Sequence, residues 1–306
     1  HVLRNIRTHR YDLIIDFQGL FKTSLLTLAL DIPSISFGWY SAREKLSSII
    51  HTKTINPTSS ENIIEKNIQL ACGAISLLTN IPIENAKITL PLKSAPKPST
   101  SAQQKIAQWF MKNKSNRFII LTPNTTWASK HWPLLRWQEL CLILSEKITD
   151  HTVVLVGQNF GQQGSQLASF INDRNLPIIV APAWNLNELF AAMKYTDLLV
   201  APDTGLLHIA DCLGVATIGL YGPTKVERHA PQISPYNRSL CFQVDCIHHY
   251  QKTHGDISNT SQAQDCMYKL SAYEVAERIY SAIAQKTFQK SGDCHAAYSH
   301  TYPLDL

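Results

Sequence analysis

Between Phe118 and Tyr221, short apolar runs alternate with longer stretches of helical periodicity, and this alternation restricts the chain to an α/β fold. The runs Phe118 to Thr122, Thr152 to Val156, Pro177 to Ala181, Leu198 to Val200 and Ala216 to Tyr221 read as strands. Helices are expected between them over Leu134 to Glu146, Gly164 to Asn172, Leu186 to Tyr195 and Leu206 to Leu213, with a closing helix over Ala272 to Ala284. Strand-helix-strand connections of this kind cross over right-handedly and give a doubly wound parallel sheet.

The upstream part repeats the theme on a smaller scale. Tyr11 to Asp16 is a short, largely apolar run, Asp16-Phe17-Gln18-Gly19-Leu20 a turn, and Phe21 to Leu30 a helix. A further helix is expected over Asn62 to Leu78, with Ile64, Ile68, Ala71, Ile75 and Leu78 on one face, and then a strand over Ala86 to Leu90. Ser94 to Ser101 has the Pro and Ser content of a linker and precedes a helix carrying Ile106, Trp109 and Phe110. Residues 1–98 are therefore read as one α/β domain with its linker, and 99–306 as a second one ending in an irregular tail from Lys290.

A chain of 306 residues with 44% hydrophobic content supports a packed core. Its apolar runs fall short of the roughly 20 residues that a membrane-spanning helix needs. The net charge of +5 is spread without a dense basic block, which excludes a dedicated nucleic-acid binder and suits an anionic substrate or an anionic membrane surface. The cysteines number seven, and Cys72, Cys141 and Cys212 lie in apolar helical stretches, as expected of reduced thiols in a cytoplasmic protein. The opening His1-Val2-Leu3-Arg4 lacks an initiator Met and the features of a signal peptide, so the sequence reads as a fragment.

Two segments have the geometry of a phosphate site, a loop leaving a strand and leading to a helix N-terminus. In Leu121 to Pro133, the hydroxyls of Thr125 and Thr126 can donate to a diphosphate and Lys130 can supply positive charge; the alternative is a capping loop with a solvated Lys. In Asp203-Thr204-Gly205-Leu206-Leu207-His208, backbone N–H groups would face a ligand, whereas Asp203 as a helix cap and His208 as a core histidine are the plain alternatives. Asp-Thr-Gly is also the triplet of aspartic proteases, but those are all-β and pair two carboxylates, whereas this triplet follows a strand in a βαβ series. Gly222-Pro223-Thr224 reads as a tight turn at the same sheet edge, where Gly222 and Thr224 can help line the site or Gly222-Pro223 can be a plain turn.

No Gly-x-Gly-x-x-Gly loop follows a strand and no Gly-Lys-Thr phosphate loop exists, which argues against a dehydrogenase and a P-loop kinase. Cys241, Cys246, His248, His249, His254 and Cys266 lack the spacing of paired zinc ligands. No Asp-x-Asp lies at a loop suited to a divalent ion, and no metal is expected.

These segments together resemble glycosyltransferase family 9, the ADP-heptose:lipopolysaccharide heptosyltransferases. The resemblance rests on Tyr11 to Lys22, Ser41-Ala42-Arg43-Glu44, Thr125-Thr126, Lys130-His131-Trp132-Pro133, Asp203-Thr204-Gly205 with His208, and Tyr221-Gly222-Pro223-Thr224. The Asp-Gln-Gly stretch is similar to heptosyltransferase I, and Cys266-Met267 with Leu270 to heptosyltransferase II. The resemblance implies a GT-B architecture of two facing Rossmann-like domains with parallel sheets, the N-terminal one incomplete. It implies an inverting transfer of heptose from ADP-heptose to the inner core of lipopolysaccharide, with Kdo or heptose as acceptor, by a cytoplasmic enzyme touching the anionic inner membrane and holding no cofactor.

By the same resemblance Thr125, Thr126, Lys130, Asp203, Thr204, Gly205 and His208 bind the donor diphosphate, with Lys130 stabilising the leaving group, and Trp184 packs near the adenine. Asn159 stands where heptosyltransferase I has a Glu on the donor ribose. Asp16, Gln18, Lys22 and Arg43 fall on the acceptor side, for a lipid A-linked core oligosaccharide. The family's catalytic Asp is expected before His1. The rival expectations are a nucleotide-sugar-binding protein without transferase activity, through truncation or degeneration, and a sugar-nucleotide isomerase on a similar scaffold.

Overall fold

The computed structural model describes residues 2–57, 62–81, 97–113, 117–157, 161–231, 239–244 and 265–289. The chain divides into two compact units, His1–Ile88 and Thr89–Leu306. The strand expected over Ala86 to Leu90, the start of the linker and the tail from Lys290 lie outside the described residues.

The first unit runs α1 (Val2–Thr8), β1 (Ile14–Asp16), α2 (Phe21–Leu30), β2 (Ser34–Phe37), a 3-10 turn (Lys45–Ile49), β3 (Lys53–Ile55) and α3 (Ile63–Thr79). Its strands are parallel in the order β1-β2-β3. Strand β2 escapes a hydrophobicity reading because two of its four buried residues are serines. Both are hydrogen-bonded, Ser36 Oγ donating to the Asp16 carbonyl at 2.8 Å and Ser34 Oγ lying 3.0 Å from His51 Nδ1, so their burial costs little.

Helix α3 corrects an expectation. Asn62, expected as its first residue, caps it, accepting from the Ile64 N–H at 2.9 Å. Its buried residues, however, are Leu70, Cys72 and Ala74, while Ile75 and Leu78 are exposed. Gly73 faces β3, where an added Cβ would stand 2.5 Å from Ile55 Cδ1 at the end of that side chain. The helix approaches β3 through the one residue that has no side chain, and Leu70 and Ala74 join Ile35 and Phe37 in the small core.

The second unit begins with α4 (Thr100–Lys112), β4 (Phe118–Leu121), a 3-10 turn (Ala128–Lys130), α5 (Leu134–Lys147), β5 (Thr152–Leu155), α6 (Gln162–Asp173), β6 (Ile178–Val180) and α7 (Leu186–Met193). It continues through β7 (Thr196–Pro202), α8 (Gly205–Cys212), β8 (Ala216–Tyr221), α9 (Val226–His229), β9 (Ser239–Gln243), α10 (Asp265–Tyr268) and α11 (Ala272–Gln289). Six parallel strands pair in the order β6-β5-β4-β7-β8-β9. This is the doubly wound arrangement, and the order reverses between β4 and β7.

Both faces of this sheet are buried, so alternate residues of each strand enter different cores. Ile119 and Leu121 of β4, Val153 and Leu155 of β5, and Leu198 and Val200 of β7 pack with Trp137, Leu140, Val275 and Ile279. Phe118, Ile120, Val154 and Leu199 pack on the other side with Ile106, Phe110, Trp184 and Leu207. The four side chains of β4 are at most 1% exposed, and each such burial stabilises by about 1.5–3 kcal/mol. This rigid centre carries the loops of the site.

Candidate functional site

Where strand order reverses, the loops leaving the two central strands diverge and border a crevice at the carboxyl edge of the sheet. Here those loops follow β4 and β7, and their side chains meet. The Lys130 ammonium, at the end of its 3-10 turn, lies 2.7 Å from Asp203 Oδ2, with the Trp127 ring centroid 4.4 Å from Nζ. Thr125 Oγ1 donates to the Asp203 carbonyl at 3.4 Å. The Thr224 hydroxyl, arriving from the loop after β8, donates to the same Asp203 Oδ2 at 2.8 Å.

Each residue of Lys130-His131-Trp132-Pro133 has a separate task. His131 Nε2 lies 2.8 Å from the Thr125 carbonyl and holds the loop in shape. Trp132 is fully buried, donates its indole N–H to the Leu270 carbonyl at 3.0 Å, and accepts at its own carbonyl from Gln163 Nε2. Pro133 stands at the N-cap of α5. The Lys is thus presented by a loop anchored in the core.

Helix α8 supplies the opposite wall. Thr204 is its N-cap, in extended conformation and making no side-chain cap bond, and its Oγ1 is buried without a partner. The reading of Asp203 as a helix cap is thereby corrected, since its carboxylate turns to Lys130 and Thr224 instead. The first N–H groups of a helix have no intrahelical acceptor and carry its positive dipole end. Gly205 is exposed, and a Cβ there would meet nothing within 4 Å, so the backbone is open to an approaching anion.

Two imidazoles complete the surroundings. Burial lowers His208 below its ordinary value of 6.5, with Asp203 and Asp211 partly opposing the shift. Burial lowers His229 further, to about 4, against the pull of Asp203. Both are neutral near pH 7, which leaves Lys130 as the cation held closest to Asp203.

Sequence reasoning missed Asn124 and His229. Asn124 donates through Nδ2 to the Gly157 carbonyl and accepts at Oδ1 from the Gly164 N–H at 3.2 Å, tying the loop after β4 to the start of α6. Asn159 lies outside the described residues. Thr126, in this same loop, is exposed. Trp184 is 2% exposed, with Trp109 and Phe110 against its ring, so it belongs to the core behind the site.

In the first unit, Gln18, Lys22 and Arg43 are exposed near the carboxyl ends of β1 and β2. Gly19 has φ +57°, and a Cβ on it would stand 3.2 Å from the Arg43 N–H nitrogen, so the two loops lie together. Asp16 is engaged within its own unit. Its Oδ1 accepts from the Gln18 N–H at 2.8 Å and its Oδ2 from Thr23 Oγ1 at 2.7 Å, with His51 Nε2 at 3.5 Å. The carboxylate shapes the loop from inside.

Among the described residues no group of three or more His, Cys, Asp or Glu side chains is gathered to hold a metal ion. Cys246, His248, His249 and His254 lie outside the described residues. No helix among the described residues is long and apolar enough to cross a membrane.

The sequence pattern of glycosyltransferase family 9 (heptosyltransferase) matches residues 1–256. The chain is 24% identical over 224 residues to lipopolysaccharide heptosyltransferase 1 of Escherichia coli K12, covering 72% of this chain and 63% of that protein. To lipopolysaccharide heptosyltransferase 1 of Pseudomonas aeruginosa it is 26% identical over 215 residues, or 70% and 55% of the two chains. The chain thus spans between 55% and 63% of the length of these relatives.

Among solved structures, E. coli heptosyltransferase WaaC with ADP superposes with a TM-score of 0.61 at 20% identity, covering 92% of this chain and 77% of that one. E. coli ADP-heptose lps heptosyltransferase II gives 0.66 at 17% identity, covering 94% and 80%. These likenesses show the fold, two Rossmann-like units with parallel sheets. The family match takes in both units and the loops that carry Lys130, Asp203 and Thr224, and the chain belongs to glycosyltransferase family 9, the heptosyltransferase family.

Proposed function

We propose that this chain serves transfer of a heptose from ADP-heptose to the inner core of lipopolysaccharide, with Kdo or a core heptose as acceptor and inversion at the anomeric carbon. The observation that carries the reading is the meeting of Lys130, Asp203 and the N-terminus of α8 at the switch point of a doubly wound sheet. A diphosphate set there would take the Lys130 ammonium and the free N–H groups of Thr204 to Leu206, which stabilise negative charge on a departing ADP. Thr125, at the edge of the same crevice, is within reach of the other phosphate oxygens.

The relatives named lipopolysaccharide heptosyltransferase 1 and the ADP bound by WaaC support this substrate class. In this reading no resident metal is required, because a fixed cation and a helix dipole supply the charge. The exposed Gln18, Lys22 and Arg43 would face the core oligosaccharide. The protein would work in the cytoplasm, in peripheral contact with the anionic inner membrane.

The test is incubation of the chain with ADP-heptose and Kdo-bearing lipid A, following ADP release and the mass of the glycolipid, with and without a chelator. Heptose added to the glycolipid in both conditions is the expected result. ADP binding without sugar transfer would leave a nucleotide-sugar-binding protein, and strict dependence on Mg²⁺ would overturn the metal-free chemistry.

A further inference from the structure

We infer that Thr224 is a positioning residue of the donor site, whose hydroxyl keeps the Asp203 carboxylate satisfied while Lys130 turns its ammonium toward the terminal phosphate of a nucleoside diphosphate. The inference rests on the donor-site reading above and adds to it a residue on the third loop.

Asp203 Oδ2 receives two donors, Lys130 Nζ at 2.7 Å and Thr224 Oγ1 at 2.8 Å. They come from the loops after β4 and β8, on either side of the β7 loop that carries the carboxylate. Asp203 is 7% exposed and Thr224 1%. An arriving diphosphate competes with Asp203 for the ammonium, and a buried carboxylate stripped of its donors is strongly unfavourable. The Thr224 hydroxyl stays out of that competition, because it is buried and its branched Cβ restricts it to few rotamers. Asp203 thereby keeps one donor when Lys130 engages the ligand.

Valine has nearly the shape of threonine without the hydroxyl. The experiment measures ADP and AMP binding by calorimetry for wild type, Thr224→Val and Thr224→Ser, with thermal unfolding of each. ADP should bind about tenfold more weakly to Thr224→Val, the loss of one hydrogen bond to a charged group. AMP, which lacks the second phosphate, should bind as in wild type, and Thr224→Ser should restore ADP binding. Equal loss for both nucleotides, an unchanged ADP affinity, or no rescue by serine would overturn the inference. Wild-type chain that binds neither nucleotide would overturn the donor-site reading and this inference with it. If Thr224→Val unfolds at the assay temperature, Thr224→Ala against Thr224→Ser makes the same comparison.

Discussion

Gly164, in the first turn of α6, lies so close to Gly157, two residues beyond β5, that an added Cβ would stand 2.5 Å from the Gly157 carbonyl oxygen. The same Cβ would reach 2.7 Å from Asn124 Nδ2, and Asn124 bonds both glycines. Gly164→Ala must therefore push helix and loop apart, because the obstructing oxygen belongs to the backbone. Overpacking of this kind costs about 1–3 kcal/mol, or a fall in Tm of about 2–4 °C per kcal/mol for a domain this size. Urea or thermal unfolding checks it. A variant as stable as wild type would show that the contact relaxes freely.

The Lys130–Asp203 pair is largely withdrawn from solvent, with side chains 13% and 7% exposed. Lys130→Met removes the ammonium from Asp203 Oδ2 and leaves the Thr224 hydroxyl as its donor there, and stability should drop by about 3–5 kcal/mol. Adding Asp203→Asn removes the orphaned charge, so the double variant should regain most of that loss while failing to bind ADP. Denaturant midpoints and calorimetry read the two effects separately. Losses that simply add in the double variant would mean that the two side chains do not act as a pair.

Buried histidines set an acid limit on stability. His229, His208 and His51 are all lowered from 6.5, chiefly by burial, and His229 to about 4. The unfolded chain therefore takes up protons at a higher pH than the folded one. Their contribution is present above pH 6.5 and is lost as the pH falls from there toward about 4. Unfolding midpoints measured across that window should decline with acid, and less steeply in His229→Gln. Parallel profiles for the two proteins would remove His229 from the explanation.

What the sequence made legible, and what it hid, follows from the range of the interactions. Strand β8 was readable because an apolar run stands between Gly214 and the Gly222-Pro223 turn, signals that all lie within a few residues. The roles within Asp203-Thr204-Gly205 were not. An Asp at a strand-to-helix turn looks the same locally whether it caps the helix or pairs with a cation, and here the deciding partner is Lys130, 73 residues away. Asn124 was hidden for the same reason, its partners Gly157 and Gly164 lying 33 and 40 residues on. The face of α3 was misjudged because counting apolar positions cannot register which side meets the sheet, here the one that sets Leu70 and Ala74 against Ile35 and Phe37.

His51 holds the small first unit together, and its removal should be felt there alone. Its side chain is fully buried, with Nε2 2.9 Å from Ser24 Oγ and Nδ1 3.0 Å from Ser34 Oγ. It thereby ties α2 to β2, while Asp16 approaches from β1 at 3.5 Å. His51→Ala takes the ring partner from the Ser34 hydroxyl, leaves Ser24 Oγ with the Leu20 carbonyl, and opens a cavity, at a cost of about 2–4 kcal/mol. A three-stranded sheet with a small core has little to set against such a loss. Amide exchange should accelerate in peptides covering β1, β2 and β3, while those covering β4 and β7 and the affinity for ADP stay as in wild type. Faster exchange in both units would mean that they unfold as one, and unchanged exchange in β1 to β3 would mean that the His51 contacts do not hold the unit together.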